Sequence, residues 1–90
     1  MISKEKVLKL GDYILVDVRE ENEYEEHHIE NAINLPMSKL GDLELIHEKL
    51  GHFDNNIVLY CQSGNRSKMA QGFLKSLGYK KVYNFGAIWN

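Results

Sequence analysis

Two apolar runs dominate the chain: Tyr13-Ile14-Leu15-Val16-Asp17-Val18 and Ile57-Val58-Leu59-Tyr60, each preceded by turn formers, Gly11-Asp12 and Asp54-Asn55. Near-continuous rather than alternating apolarity, with many β-branched residues, predicts strands covered on both faces, as in a parallel sheet. Residues 32–35, stopped by Pro36, and residues 81–85 predict two weaker strands. Between the strands the period changes to that of a helix. Residues 3–10 place Val7, Leu8 and Leu10 on one side, and residues 42–50 place Leu43, Ile46 and Leu50 at spacings of three and four before Gly51. Residues 66–77 carry a stripe of Met69, Phe73, Leu74 and Leu77 beside the small Ala70, with Gly78 as C-cap. Strands alternating with helices predict an α/β fold: a parallel sheet with helices on both faces and right-handed crossovers. In such sheets a ligand site lies beyond the carboxyl ends of the strands, so the segments that follow them are where chemistry is sought.

Composition narrows the function classes. Ninety residues predict one domain over residues 1–90, and a chain of that size buries about 60–65% of its unfolded surface. Hydrophobic residues at 43% and charged residues at 27% exclude a disordered or fibrous chain. A formal charge of −2 argues against a nucleic-acid module. Five glutamates within residues 20–26 read as a solvated helix face rather than an acidic docking patch. No apolar run approaches the ~20 residues of a membrane span, and the polar start gives no secretory signal. Neither nucleic acid nor membrane is therefore expected as a partner, and a cytoplasmic location is. The single cysteine excludes an intrachain disulfide and a cysteine-built zinc cluster. His27, His28, His47 and His52 lack metal-ligand spacing, so neither metal nor cofactor is expected.

That cysteine lies where the second apolar run gives way to the best helix. In Cys61-Gln62-Ser63-Gly64-Asn65-Arg66-Ser67, Gly64 permits positive φ in a tight loop and Asn65 tolerates it. A turn wrapped around the sulfur would point backbone N–H groups inward, backed by a helix N-terminus. The helix end and Arg66 would both lower the thiol pKa, making Cys61 a nucleophile. Ser67 would bond back to the loop or sit in the first helical turn. Taken singly, Cys61 could be a small buried hydrophobe and Gly64 an ordinary turn glycine; together, position, loop and arginine favour a reactive site.

Three segments resemble the rhodanese domain. Asp17-Val18-Arg19-Glu20 is similar to that family's Asp-x-Arg motif at a strand end, and residues 23–36 are similar to its E-[YF]-x-x-G-H-I-x-G-A-x-N-[IL]-P stretch. Residues 61–67 are similar to its active-site loop C-x-x-G-x-R-S. The resemblance implies a three-layer fold with a parallel sheet of about five strands in the order 1-5-4-2-3, residues 1–3 forming a short edge strand. It also implies a sulfurtransferase. Cys61 would take a sulfane sulfur from thiosulfate, polysulfide or a persulfide and pass it to a thiol or cyanide. The amides of residues 62–66 (Gln62, Ser63, Gly64, Asn65, Arg66) would stabilise the sulfur anion, and Arg66 would order the loop and hold an anionic donor. For Asp17 and Arg19 a supporting role is expected, Arg19 pairing with a carboxylate such as Glu23 and Asp17 bonding loop amides. Cysteine phosphatases of the same fold use a longer C-x5-R loop, so phosphate chemistry is not expected.

His27 and Asn31 stand where the family usually has glycine, and Gly86-Ala87 replaces a common Gly-Gly pair. Asn31 is compatible with a left-handed turn; His27 predicts a different local turn. Phe85 and Trp89 either cap a small core or lie partly exposed, which leaves monomer and weak homodimer open. The alternative to an enzyme is a non-catalytic rhodanese-fold binding module that uses the acidic helix or the terminal aromatics.

Overall fold

The computed structural model describes residues 1–88. Helix α1 (Lys4–Lys9) leads into strand β1 (Ile14–Asp17), and helix α2 (Glu21–Glu26) into the short strand β2 (Ile33–Asn34). A 3-10 turn, Met37–Lys39, precedes helix α3 (Leu43–Leu50), strand β3 (Asn56–Cys61), helix α4 (Asn65–Leu77) and strand β4 (Lys81–Ala87). All strand pairs are parallel, in the order β2-β1-β3-β4. The sheet thus has four strands rather than about five, and its order differs from the expected 1-5-4-2-3 by the missing edge strand. Residues 1–3 do not form it. Ile2 N–H donates to Asn84 O at 2.9 Å, but Ser3 then caps α1, its Oγ accepting the Lys6 amide at 3.3 Å. The early cap ends the extended segment before a ladder can develop.

Alternation along β3 builds the two cores. Ile57, Leu59 and Cys61 face α3 and α4 and pack with Val16, Ile46, Leu50, Ala70, Leu74 and Val82. Tyr60 points to the other face, with Ala32, Ile88, Leu15, Phe85 and Tyr24 of α2. Val7 is the buried residue of α1, whereas Leu8 is exposed, as is Leu43 at the start of α3. The buried arc of α4 also differs from the expected stripe. It runs through Ser67, Ala70 and Leu74, leaving Met69 69% exposed and Phe73 at the surface. Each helical residue advances the arc by about 100°, so Met69 and Phe73 flank the buried line. The small residues at 67 and 70 let the helix start lie close against the sheet. Met37 and Leu77 pack partly buried against the larger core. Phe85 is half-buried, whereas the expectation for Trp89 lies outside the described residues.

The register positions the site. Leu59 pairs with Asn84 and Tyr60 with Gly86, so β4 bulges at Phe85. Leu59, Cys61 and Asn84 therefore share the α4 face, and Asn84 is brought under the first turn of that helix. No helix among the described residues is long and apolar enough to cross a membrane.

Candidate active site

Cys61 is the last residue of β3, fully buried and unpaired. The chain then folds back over its sulfur. Gly64, at φ 96°, precedes α4 in the left-handed region, where a Cβ would also meet Gly86 Cα at 3.4 Å. The left-handed φ, rather than that ordinary contact, is what calls for glycine. The fold-back brings the Gly64 N–H to 2.9 Å and the Ser67 N–H to 3.4 Å from Cys61 Sγ, while the thiol donates to Ser67 Oγ at 3.5 Å. Burial pushes the Cys61 thiol up. The Ser67 hydroxyl and the Ser67, Gly64 and Ser63 amides together outweigh it, so the thiol titrates below its ordinary value. Expectation and geometry agree on an amide-lined sulfur, but the set of donors shifts: Ser67 joins Gly64 and Ser63. Gln62, Ser63 and Asn65 are exposed at the mouth.

Ser67 fills both of its expected roles. It lies in the first turn of α4, and its hydroxyl reaches back to Gly64 O at 3.0 Å; it also meets Asn84 Oδ1 at 2.7 Å. Asn84 was not among the sequence candidates. Its signal was a polar residue inside the apolar run of residues 82–85, on the same strand face as Val82.

Arg19 has another partner than expected, and Arg66 takes the carboxylate expected for Arg19. Arg66 grips Glu23 of α2, with Nη1 to Oε1 at 2.7 Å and Nη2 to Oε2 at 3.0 Å. The Glu23 carboxylate also accepts the Glu20 amide at 3.1 Å, a capping box that ties α2 to the site. Hydrogen bonds from Arg66 pull the Glu23 carboxyl down to about 2 despite partial burial. Arg19 turns back on Asp17 instead of reaching Glu23. Nη2 meets Oδ2 at 2.8 Å, and Nε meets both oxygens at 3.1 Å. Asp17 Oδ1 also accepts the Arg19 amide at 2.8 Å, the one part of the loop-amide expectation that the geometry shares. Glu23 is out of this pairing because α2 carries it outward to α4. Arg19 Nη2 donates further to His27 O at 2.6 Å, and its guanidinium lies 6.0 Å from the Tyr60 ring centroid. The hydrogen bonds donated to Asp17 raise the Arg19 pKa, against burial.

The glycine replacements resolve separately. His27 has φ −169°, extended backbone open to any residue. Asn31 has φ 71° and takes the expected left-handed conformation. Among the described residues no group of three His, Cys, Asp or Glu side chains is arranged to hold a metal ion.

Comparison with known proteins agrees with this architecture. The family model for the rhodanese-like domain matches residues 3–86. A putative mitochondrial thiosulfate sulfurtransferase of Schizosaccharomyces pombe is 36% identical over 85 residues, covering 84% of this chain and 60% of its own. The thiosulfate sulfurtransferase GlpE of Coxiella burnetii is 33% identical over 79 residues, covering 88% of this chain and 70% of its own. The human single-domain sulfurtransferase TSTD1 superposes with a TM-score of 0.81 at 25% identity, over 98% of this chain and 89% of that one. A rhodanese from E. coli, solved with anions, gives 0.78 at 27% identity, over 86% and 88%. The likeness extends well beyond the cysteine loop, over sheet, helices and family motifs alike: the chain belongs to the rhodanese-like domain family.

Proposed function

We propose that the protein is a sulfurtransferase in which Cys61 carries a sulfane sulfur from a donor to an outside acceptor. One observation carries the reading: a buried sulfur at a strand end, with the Gly64 and Ser67 amides directed at it at 2.9 and 3.4 Å. Such preorganised donors stabilise a thiolate and, after transfer, the terminal anion of a persulfide. The Cys61 thiolate attacks the outer sulfur of the donor, and the donor's S–S bond breaks. Its electron pair leaves with sulfite from thiosulfate, or with a thiolate from a persulfide. An acceptor thiolate or cyanide then attacks the outer sulfur of the Cys61 persulfide, and the electron pair of that S–S bond returns to Cys61. The cycle leaves the enzyme unchanged and, with no second cysteine in the chain, needs an external acceptor.

Charge at the mouth favours polysulfide or persulfide over thiosulfate. Gln62, Ser63 and Asn65 are uncharged, and the Arg66 cation is balanced by Glu23. A dianion gains little from such a site. The names of the S. pombe, Coxiella and human relatives support sulfur transfer as the class of reaction.

Intact-protein mass spectrometry after incubation with each donor tests this. The expected result is a gain of one sulfur atom on the wild type and none on Cys61→Ser, with kcat/KM higher for a persulfide than for thiosulfate. No adduct from any donor, together with an ordinary thiol pKa, would favour a non-catalytic binding module instead.

A further inference from the structure

The Ser67 hydroxyl has one proton and three acceptors around it: Cys61 Sγ at 3.5 Å, Gly64 O at 3.0 Å and Asn84 Oδ1 at 2.7 Å. Of the two carbonyl acceptors Asn84 Oδ1 makes the shorter contact, and with the single Ser67 proton directed there the Cys61 thiol donates to Ser67 Oγ. This set of bonds suits a protonated sulfur. It does not suit a thiolate or a persulfide anion, which has no proton to donate and needs the Ser67 hydroxyl turned towards it. Once Ser67 turns, Asn84 Oδ1 and Ser67 Oγ would face each other as two acceptors at 2.7 Å, which is unfavourable inside the protein. An amide resolves this by a half-turn that exchanges Oδ1 for Nδ2. Asn84 is built to make that exchange. The residue is 7% exposed, its side chain bonds Ser67, and it also lines an open groove of about 490 Å³ with Lys68, Gln71 and Tyr83.

We propose that Asn84 is a positioning residue that acts through Ser67, presenting its amide oxygen when Cys61 is a thiol and its amide nitrogen when the sulfur is anionic. The only covalent bond broken is S–H, and its proton passes to solvent water. In the anionic state Nδ2 donates to Ser67 Oγ and Ser67 donates to Sγ, so each contact of the chain Asn84–Ser67–Cys61 keeps one donor and one acceptor. Donation in series strengthens the bond to sulfur through polarisation. The inference rests on Cys61 working as an anion, as the proposed sulfur transfer requires. The charges around the sulfur are Arg66 on α4 with Glu23 of α2 and nearby Glu20, and the Asp17–Arg19 pair beyond β1. Lys6 of α1, Lys68 of α4 and Tyr83 of β4 line the groove on the Asn84 side. None of these is altered in the test.

The pH dependence of Cys61 alkylation, measured with no sulfur donor present, reads the thiol directly. Asn84→Leu, of similar size but without the amide, should raise the midpoint by about half a unit. Asn84→Asp, of the same shape but acceptor-only when ionised, should raise it by about one unit or more. In a Ser67→Ala background the Asn84→Leu shift should vanish. A shift of equal size with and without the Ser67 hydroxyl, or no shift in Asn84→Leu, overturns the proposal. Should the variants misfold, the wild type decides: the Asn84 side-chain amide resonances should titrate with the alkylation midpoint, and resonances that do not move through it overturn the proposal as well. Because alkylation needs no donor, a failure here is separate from a failure of Cys61 to accept sulfur.

Discussion

Arg19 and Arg66 both follow the end of a parallel strand and both bind a carboxylate, yet the two pairs live in different media. The Asp17–Arg19 pair is 0% and 1% exposed, closed by the His27 carbonyl and the face of Tyr60. The Glu23–Arg66 pair is 30% and 34% exposed and links the acidic helix to the cysteine loop. A buried pair is held by the penalty of separating it, because either partner left alone is an uncompensated charge in a poor solvent. A half-exposed pair contributes little to stability and can instead set the charge that a ligand meets. The contrast predicts that Arg19 serves the fold and Arg66 the site.

Removing Arg19 tests the first half of that contrast most severely. Arg19→Met should destabilise by about 3–5 kcal/mol in urea unfolding, since Asp17 stays buried without its partner. The double variant Asp17→Leu/Arg19→Met should recover most of the loss. A normal melt with a greatly raised donor KM would instead make Arg19 a substrate contact. Glu23→Gln should cost about 1 kcal/mol or less. It should raise kcat/KM for thiosulfate relative to a persulfide, because Arg66 then meets the donor with its full charge; equal losses for both donors would reduce Glu23 to a tether.

The pairs should also separate on acidification. Hydrogen bonds from Arg66 hold the Glu23 carboxyl at about 2, against 4.5 ordinarily. A depressed carboxyl contributes stability that is complete above the ordinary value and lost as pH falls towards the folded one. Comparing urea midpoints of wild type and Glu23→Gln should therefore show a gap that closes between pH 4.5 and about 2. A gap that stays constant over this range would remove the ionic link. The smallest effect concerns the carbonyl that closes the buried pair. His27→Gly should destabilise by about 0.5–1 kcal/mol, since extended backbone gains nothing from glycine's freedom. Asn31→Gly should be neutral or slightly stabilising at its φ of 71°. Thermal melts of the two variants, lowered for His27→Gly and unchanged or slightly raised for Asn31→Gly, would separate the two glycine replacements.

The cysteine loop was legible because its determinants are local. A β-branched strand, a glycine three residues after Cys61 and a helix start four residues after it suffice to wrap amides around a sulfur. The strand order was implied by the family resemblance alone, and it differs at residues 1–3, where Ser3 caps a helix instead of extending an edge. The carboxylate that Arg66 binds was not legible. Glu23 is 43 residues away, and five glutamates within residues 20–26 compete in the sequence on equal terms. Only the placement of α2 against the start of α4 selects among them.

Composition, periodicity and spacing were enough to establish an α/β sheet and its strand ends and to single out Cys61 as the candidate nucleophile, because each depends on neighbours a few residues away. Which arginine is buried, which arc of α4 faces the sheet, and that Asn84 lies beneath Ser67 were settled by packing. Ser67 and Asn84 are 17 residues apart and meet at 2.7 Å only because β4 keeps its parallel register with β3 up to the bulge at Phe85. A one-residue slip in that register would turn Asn84 to the opposite face of the sheet.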